Sequence, residues 1–345
     1  MASTNTYSEH WLTGPQSTKF YVRTYPAQSQ SEPTSPAATT APPTTTTTSA
    51  TAPKGILVFL HGFIEHIGRY SHVFPHWSSR GFHVFAFDQR GFGQTASHPT
   101  NKSPDSSYAK TSGEHQLEDA EWAVKTAKEH FSSGEQGGEE LPVFVMGHSM
   151  GGGVVLDFAT KTKSQIAGII ASSPLILQTT AAPKIARWVG GKVSLLTPYS
   201  TVPAQVKAEH LSKDEESNQS YLKDPLIKQK GSLKGISDML NRGEELLQSL
   251  YKSWPEHVPL LIVHGTGDKV TSHAASQRFH DVVPARDKRI SKYDDGYHEL
   301  HNEPNGVKDR FIDECISWVE ARLPSSSVPS PAQKEDSAAV TTAKL

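Results

Sequence analysis

The sequence predicts an α/β architecture, a mostly parallel central sheet flanked by helices, with a helical insertion over the strand ends. Three observations point there. Short, fully apolar runs such as Ile56 to Leu60 and Pro142 to Met146 read as strands buried on both faces, since a one-faced strand would alternate with polar residues. Helical stretches separate those runs, and such alternation closes into a parallel sheet. The third is Gly147-His148-Ser149-Met150-Gly151, set between an apolar run and a helix start.

Taken in order, Lys19 to Tyr25 is an edge strand, within N-terminal edge strands spanning residues 1–26. From Pro26 to Pro53 the chain is nearly all Ser, Thr, Pro and Ala, with the run Thr44 to Thr48. Such a stretch buries too little apolar surface to offset its ordering entropy, so 27–53 is expected to be a disordered insertion. Gly55 to Leu60 is the first core strand, Tyr70 to Arg80 a helix and Phe82 to Phe87 the next strand. In Gly113 to Phe131, Leu117, Ala120, Ala123, Val124 and Ala127 recur at helical spacing. The strand before Ser149, a helix from Gly152 and the strand Ile166 to Ala171 follow, and Ser172-Ser173-Pro174 breaks the pattern.

Residues 54–174 thus make the first part of the core. Residues 175–235 lack a strong strand and carry Ile185, Trp188, Val189, Leu195 and Leu196 in a patchy amphipathic pattern. An excursion at this point predicts a lid, because sites on parallel sheets lie at the carboxyl ends of strands. The core resumes over 236–323, with strands at Val258 to His264 and Arg289 to Tyr293 and a closing helix from Asn305 to Leu323. Residues 324–345 share the composition of the insertion and are expected to be a disordered tail.

Composition excludes several classes. Lys and Arg number 34 against 36 Asp and Glu, a net charge of −2, so there is no basic footprint for nucleic acid. The single cysteine, Cys315, rules out an intrachain disulfide or a cysteine metal cluster, and its place in the last apolar helix makes it buried filler. No apolar run reaches the length needed to span a bilayer and Met1 opens no signal peptide, which suggests a soluble intracellular protein. The oligomeric state is left open.

The serine motif carries the chemistry. At a strand-to-helix turn a serine hydroxyl stands above the sheet, with a helix N-terminus facing the developing charge. It needs a base, and the base needs a carboxylate to hold its tautomer. In this chain order the acid follows a later strand and the base a later one still. Leu260 to His264 leads into Gly265-Thr266-Gly267-Asp268, and the strand ending at Tyr293 leads into Asp294-Asp295-Gly296-Tyr297-His298. Asp268 and His298 are therefore the candidates, with Asp294, Asp295 and His301 as rivals. The oxyanion needs two backbone N–H donors, from Met150 after the nucleophile and Phe63 after the first core strand; His61 is expected to brace that loop. No metal or cofactor is required.

Several motifs together carry a resemblance. His61-Gly62-Phe63-Ile64-Glu65-His66-Ile67-Gly68-Arg69-Tyr70, Asp88-Gln89-Arg90-Gly91-Phe92-Gly93, Gly147 to Gly151, Ser173-Pro174-Leu175, Asp224-Pro225-Leu226-Ile227 and Tyr297-His298 resemble, in the same order, the monoacylglycerol lipases of the serine α/β-hydrolase family, including fungal members. The resemblance spans most of Gly55 to Leu323. It implies the α/β-hydrolase fold and cleavage of monoacylglycerol to fatty acid and glycerol through an acyl-serine intermediate. It also implies a lid whose apolar surface touches a membrane or lipid droplet, and a polar glycerol end at Glu65, Arg69, Tyr221 and His301. Read without the resemblance, Glu65 and Arg69 suit a structural pair equally well. Animal members have reactive lid cysteines, which this lid lacks. Lysophospholipase, other carboxylesterase or acyltransferase activity would use the same residues. Cytoplasm, with a lipid-droplet or membrane surface, is the expected location; the alternative is peroxisomal, since Ala343-Lys344-Leu345 resembles the Ser-Lys-Leu address.

Overall fold

The computed structural model describes residues 6–28, 52–132, 140–180 and 191–324. Ten strands lie among them: β1 (Ser8–Thr13), β2 (Lys19–Tyr25), β3 (Gly55–Leu60), β4 (Phe82–Phe87), β5 (Val143–His148), β6 (Gly168–Ser172), β7 (Thr201–Pro203), β8 (Lys230–Ser232), β9 (Leu260–Gly265) and β10 (Lys288–Tyr293). The main sheet has eight strands in the order β1-β2-β4-β3-β5-β6-β9-β10. β1 and β2 are antiparallel to their neighbours and the others run parallel.

Strand β3 shows why the runs are wholly apolar. Ile56, Val58 and Leu60 face one core layer and Leu57 and Phe59 the other, so neither face meets water. Helices α3 (Gly113–Ser132) and α4 (Met150–Lys161) cover the first layer, α3 through Ala120, Ala123, Val124 and Ala127. Helices α1 (Phe74–Ser79) and α8 (Val307–Glu320) cover the second, where Cys315 is buried and its thiol pushed well up by burial. The chain leaves β3 for β4 and returns to β5 on the other side of β3. That reversal opens a crevice at the carboxyl ends of β3 and β5, where the oxyanion loop and Ser149 lie.

The structure departs from the sequence reading at several boundaries. The helix expected from Tyr70 to Arg80 is a 3-10 turn at Ile67–Tyr70 followed by α1, with Pro75 in its first turn, where a missing N–H costs nothing. The edge region is a hairpin, β1 with β2. The lid boundary expected at 235 falls inside a helix, α6 (Leu233–Gln248), capped by Ser232, whose hydroxyl accepts from the Gly235 amide. Within residues 175–235, β7 and β8 form a two-stranded antiparallel sheet and α5 (Glu215–Lys223) starts at the Asp214 cap. Residues 29–51 and 325–345, most of the two segments expected to be disordered, lie outside the described residues. So do Ile185, Trp188 and Val189 of the lid and the terminal Ala343-Lys344-Leu345.

Candidate active site

Ser149 stands at the junction of β5 and α4 with φ 53 and ψ −115, outside the regions an L-residue normally occupies, at a cost of roughly 1–3 kcal/mol. The flanking glycines serve closeness rather than unusual dihedrals. A methyl on Gly147 would collide with the Gly151 carbonyl, and one on Gly151 with the Leu60 carbonyl. The strain therefore sits on the serine alone.

Both partners come from loops at the same sheet edge. His298, after β10, donates through Nδ1 to Asp268 Oδ2 at 2.7 Å. Asp268, after β9, also takes the Val270 and Thr271 amides on Oδ1 at 2.7 and 2.9 Å. Burial raises the Asp268 pKa, but the charge of His298 and the hydrogen bonds from His264 and His298 outweigh it and hold the carboxyl far below its usual range. His298 moves the opposite way: burial lowers it, and Asp268 more than compensates, lifting it above the ordinary histidine value. The rivals lie elsewhere. Asp294 and Asp295 are exposed, Asp295 pairing with Lys213.

Ser149 and His298 hang on one strand end. Ser149 N donates to Ser172 O at 2.9 Å and Ser173 Oγ donates to His298 O at 2.8 Å. His148, beside Ser149, has its ring centroid 4.8 Å from that of His298. Among the described residues the Ser149 hydroxyl makes no hydrogen bond to the imidazole; without substrate such bonds are commonly long and tighten in the complex.

The oxyanion loop follows β3. A Cβ on Gly62 would lie 2.5 Å from Glu65 Oε1 and 3.2 Å from Ser149 Cβ, so glycine lets the loop pass between the two. Among the described residues neither the Phe63 nor the Met150 amide donates to a protein acceptor. His61 braces the loop: Nε2 accepts from Gln89 N at 2.8 Å, Nδ1 lies 2.8 Å from Gly62 O, and burial lowers its pKa to about 3. Arg90 is braced by Asp119, at 2.9 and 2.6 Å.

Glu65, Arg69, Tyr221 and His301 form one cluster linked through Tyr70, and three of them spend their polar groups on neighbours, Tyr221 by accepting from Gln229 at 2.9 Å. Glu65 Oε1 accepts from Gly62 N at 2.5 Å and Tyr70 OH at 2.7 Å, and Oε2 from Arg69 at 2.8 Å. Arg69 also grips Glu299 and lies 5.0 Å over the Tyr221 ring. His301 stacks on Tyr70 at 4.5 Å; burial lowers its pKa to about 3, and its Nε2 is buried without a partner among the described residues. None of the four lines the cavity of about 890 Å³ that reaches Ser149, whose walls include Phe63, Leu175, Ile236, Met239 and Leu240. Glu299, Thr271 and His264 join the site without being singled out by sequence; Glu299 adjoins His298, but its partner Arg69 is 230 residues away.

A nucleophile held at a strained elbow on a parallel sheet, beside an aspartate-held histidine, defines a serine hydrolase of the α/β-hydrolase fold. The chain belongs to the family described as "Serine aminopeptidase, S33", which matches residues 51–305. It is 32% identical, over 81% of its length and 71% of the relative's, to the "Putative monoglyceride lipase" of Schizosaccharomyces pombe. Against the monoglyceride lipase of Homo sapiens it is 28% identical over 81% of its length and 86% of the relative's. In structure it is similar to a soluble variant of the Saccharomyces cerevisiae monoglyceride lipase solved with a substrate analog, with a TM-score of 0.77, 22% identity and coverage of 94% of this chain and 98% of that one.

Proposed function

We propose that the chain is an acylglycerol lipase that cleaves monoacylglycerol to fatty acid and glycerol through an acyl-Ser149 intermediate. The observation that carries the chemistry is the 2.7 Å bond from His298 Nδ1 to Asp268 Oδ2, at the sheet edge where Ser149 stands. It leaves His298 Nε2 as the base. The monoglyceride lipases among the relatives support the substrate.

In this reading the acyl chain occupies the cavity bounded by Leu175, Met239 and Leu240. His298 takes the Ser149 proton as Oγ attacks the ester carbonyl, and gives it to the departing glycerol oxygen. Water then attacks the acyl-serine, losing a proton to His298, which returns it to Ser149 Oγ as the fatty acid leaves. The Phe63 and Met150 amides receive the oxyanion; losing one such donor typically costs on the order of 10²–10³ in turnover. Glu65 sets the oxyanion loop through Gly62 N, and Arg69, which does not line the cavity, acts on the site by holding that loop to the one that bears His298.

Leu195 and Leu196, 75% and 84% exposed, support a reading in which the lid touches a lipid surface, a membrane or lipid droplet of the cytoplasm. Purified enzyme profiled against monoacyl-, diacyl- and triacylglycerol and lysophospholipid tests the substrate. Monoacylglycerol is expected to be hydrolysed fastest, with Ser149→Ala inactive; a clear preference for lysophospholipid, or an active Ser149→Ala enzyme, overturns the proposal.

A further inference from the structure

His264 lies in β9, four residues ahead of Asp268, with its ring fully buried. None of the steps above uses it. Nε2 is 3.1 Å from Asp268 Oδ2 and 3.2 Å from the Thr271 carbonyl oxygen. Both partners only accept, so the hydrogen belongs on Nε2. Nδ1 is then bare and takes the hydroxyl hydrogen of Ser276, 2.8 Å away on helix α7 (His273–Val282). A side chain needed only for volume would not be aimed in this way. Its donor meets the oxygen that accepts from His298, and its far nitrogen is satisfied by a buried serine.

We propose that His264 is a positioning residue for the hydrolytic reaction: a second imidazole whose Nε2–H shares the charge on Asp268 Oδ2 and limits how strongly that oxygen draws on His298. The role rests on the Ser149–His298–Asp268 reading. Two amides pin Oδ1 and the Thr271 hydroxyl donates to Oδ2 at 2.8 Å, so the carboxylate does not swing when the His264 donor is lost; the charge on Oδ2 changes instead. With that donor gone the carboxylate is the stronger base. It stabilises protonated His298, and the imidazole becomes available as a base only at higher pH. Titratable groups facing this relay from the neighbouring elements include His273, with its ring 5.7 Å from that of His264, His148, 4.8 Å from His298, His301, 4.9 Å from His148, and Glu65, which also acts on His298. Glu299 adjoins His298 in the chain and is neutralised by Arg69.

Two amide substitutions separate the role from packing. In His264→Gln the side-chain NH₂ reaches the place of Nε2, whereas in His264→Asn it falls a methylene short. The Asn enzyme is expected to show the acid limb of kcat/KM moved to higher pH by on the order of one unit. Its rate deficit is about tenfold on that limb and shrinks as pH rises, with KM unchanged. The Gln enzyme is expected to recover the wild-type limb. Should the Asn protein fail to unfold cooperatively, His264→Leu serves as the donor-less variant. Equal limbs in the donor-less and Gln enzymes, whether both displaced or both wild-type, overturn the role. Fluorophosphonate labelling of the wild type separates the two levels: an unlabelled Ser149 removes the hydrolase reading, while a labelled wild type with equal variant limbs removes only that of His264.

Discussion

Arg69 and Glu299 form a bidentate ion pair, Nη1 to Oε1 at 2.5 Å and Nη2 to Oε2 at 2.8 Å, between the loop that bears the oxyanion amide and the loop that bears His298. Arg69 Nη1 also reaches Glu65, whose other oxygen holds Gly62 N. One guanidinium thus pairs with two carboxylates in a site where all three side chains are at most 8% exposed. Burial pushes the Glu65 carboxyl up against the pull of Arg69, whereas Arg69 holds Glu299 below its usual range. Arg69→Met is therefore expected to strand two buried carboxylates and lower stability by about 3–5 kcal/mol, the usual result of removing one partner from a buried pair. Urea unfolding measures it; a loss below about 1 kcal/mol would mean that water screens the cluster.

Activity should follow the ionisation of His298. Its pKa lies above the ordinary histidine value because Asp268 outweighs burial. The base must be neutral to accept the Ser149 proton, so kcat/KM rises with pH through that elevated value, and the acid limb is expected above about pH 6.5. Asp268→Asn removes the charge that lifts it. The limb should then fall toward lower pH while turnover drops by on the order of 10⁴, as the tautomer is lost. A limb that stayed in place in Asp268→Asn would argue that another group sets it.

The strain at Ser149 has a measurable sign. Both Ser149→Ala and Ser149→Gly remove the nucleophile, but alanine keeps the Cβ that disfavours φ 53 and ψ −115 and glycine does not. Glycine loses more backbone entropy on folding, which offsets part of the relief. The Gly protein is expected to be more stable than the Ala protein by about 1 kcal/mol, read from chemical denaturation. Equal midpoints would show that the elbow is held without cost.

What was legible in the sequence is what depends on local pattern. Strands such as Ile56-Leu57-Val58-Phe59-Leu60 are buried on both faces and leave an uninterrupted apolar signature. Ser149 and Asp268 each follow such a strand, while His298 follows the edge strand Lys288–Tyr293, whose residues are mostly half-buried or exposed; in parallel strands this chain order brings all three to one edge. Partnerships across the chain left no such trace. Glu299 reads as one more acid in a loop until Arg69 folds beside it. His264 reads as the end of a strand until the turn at Asp268 brings the carboxylate back onto its ring. The helix expected from Tyr70 was misjudged because Pro75 and the 3-10 turn at Ile67–Tyr70 split what periodicity joins.

The lid's exposed leucines bear on how the enzyme meets an insoluble substrate. Leu195 and Leu196 stand 75% and 84% exposed, with Val193 and Tyr199 beside them at 41% and 39%. Single exposed apolar residues are ordinary, but four within seven positions concentrate the area on one patch. Each leucine moved from water into the acyl region of a bilayer contributes roughly 1.5–3 kcal/mol, so losing two should weaken partitioning by well over tenfold. Ser194, between Val193 and Leu195, is buried, so this side of the segment faces inward while the two leucines that follow stand in solvent. The double variant Leu195→Ser, Leu196→Ser is expected to sediment with phosphatidylcholine vesicles at least tenfold more weakly than the wild type. If the two proteins sediment alike, these leucines are lid surface without a lipid partner, and docking must rest on other residues.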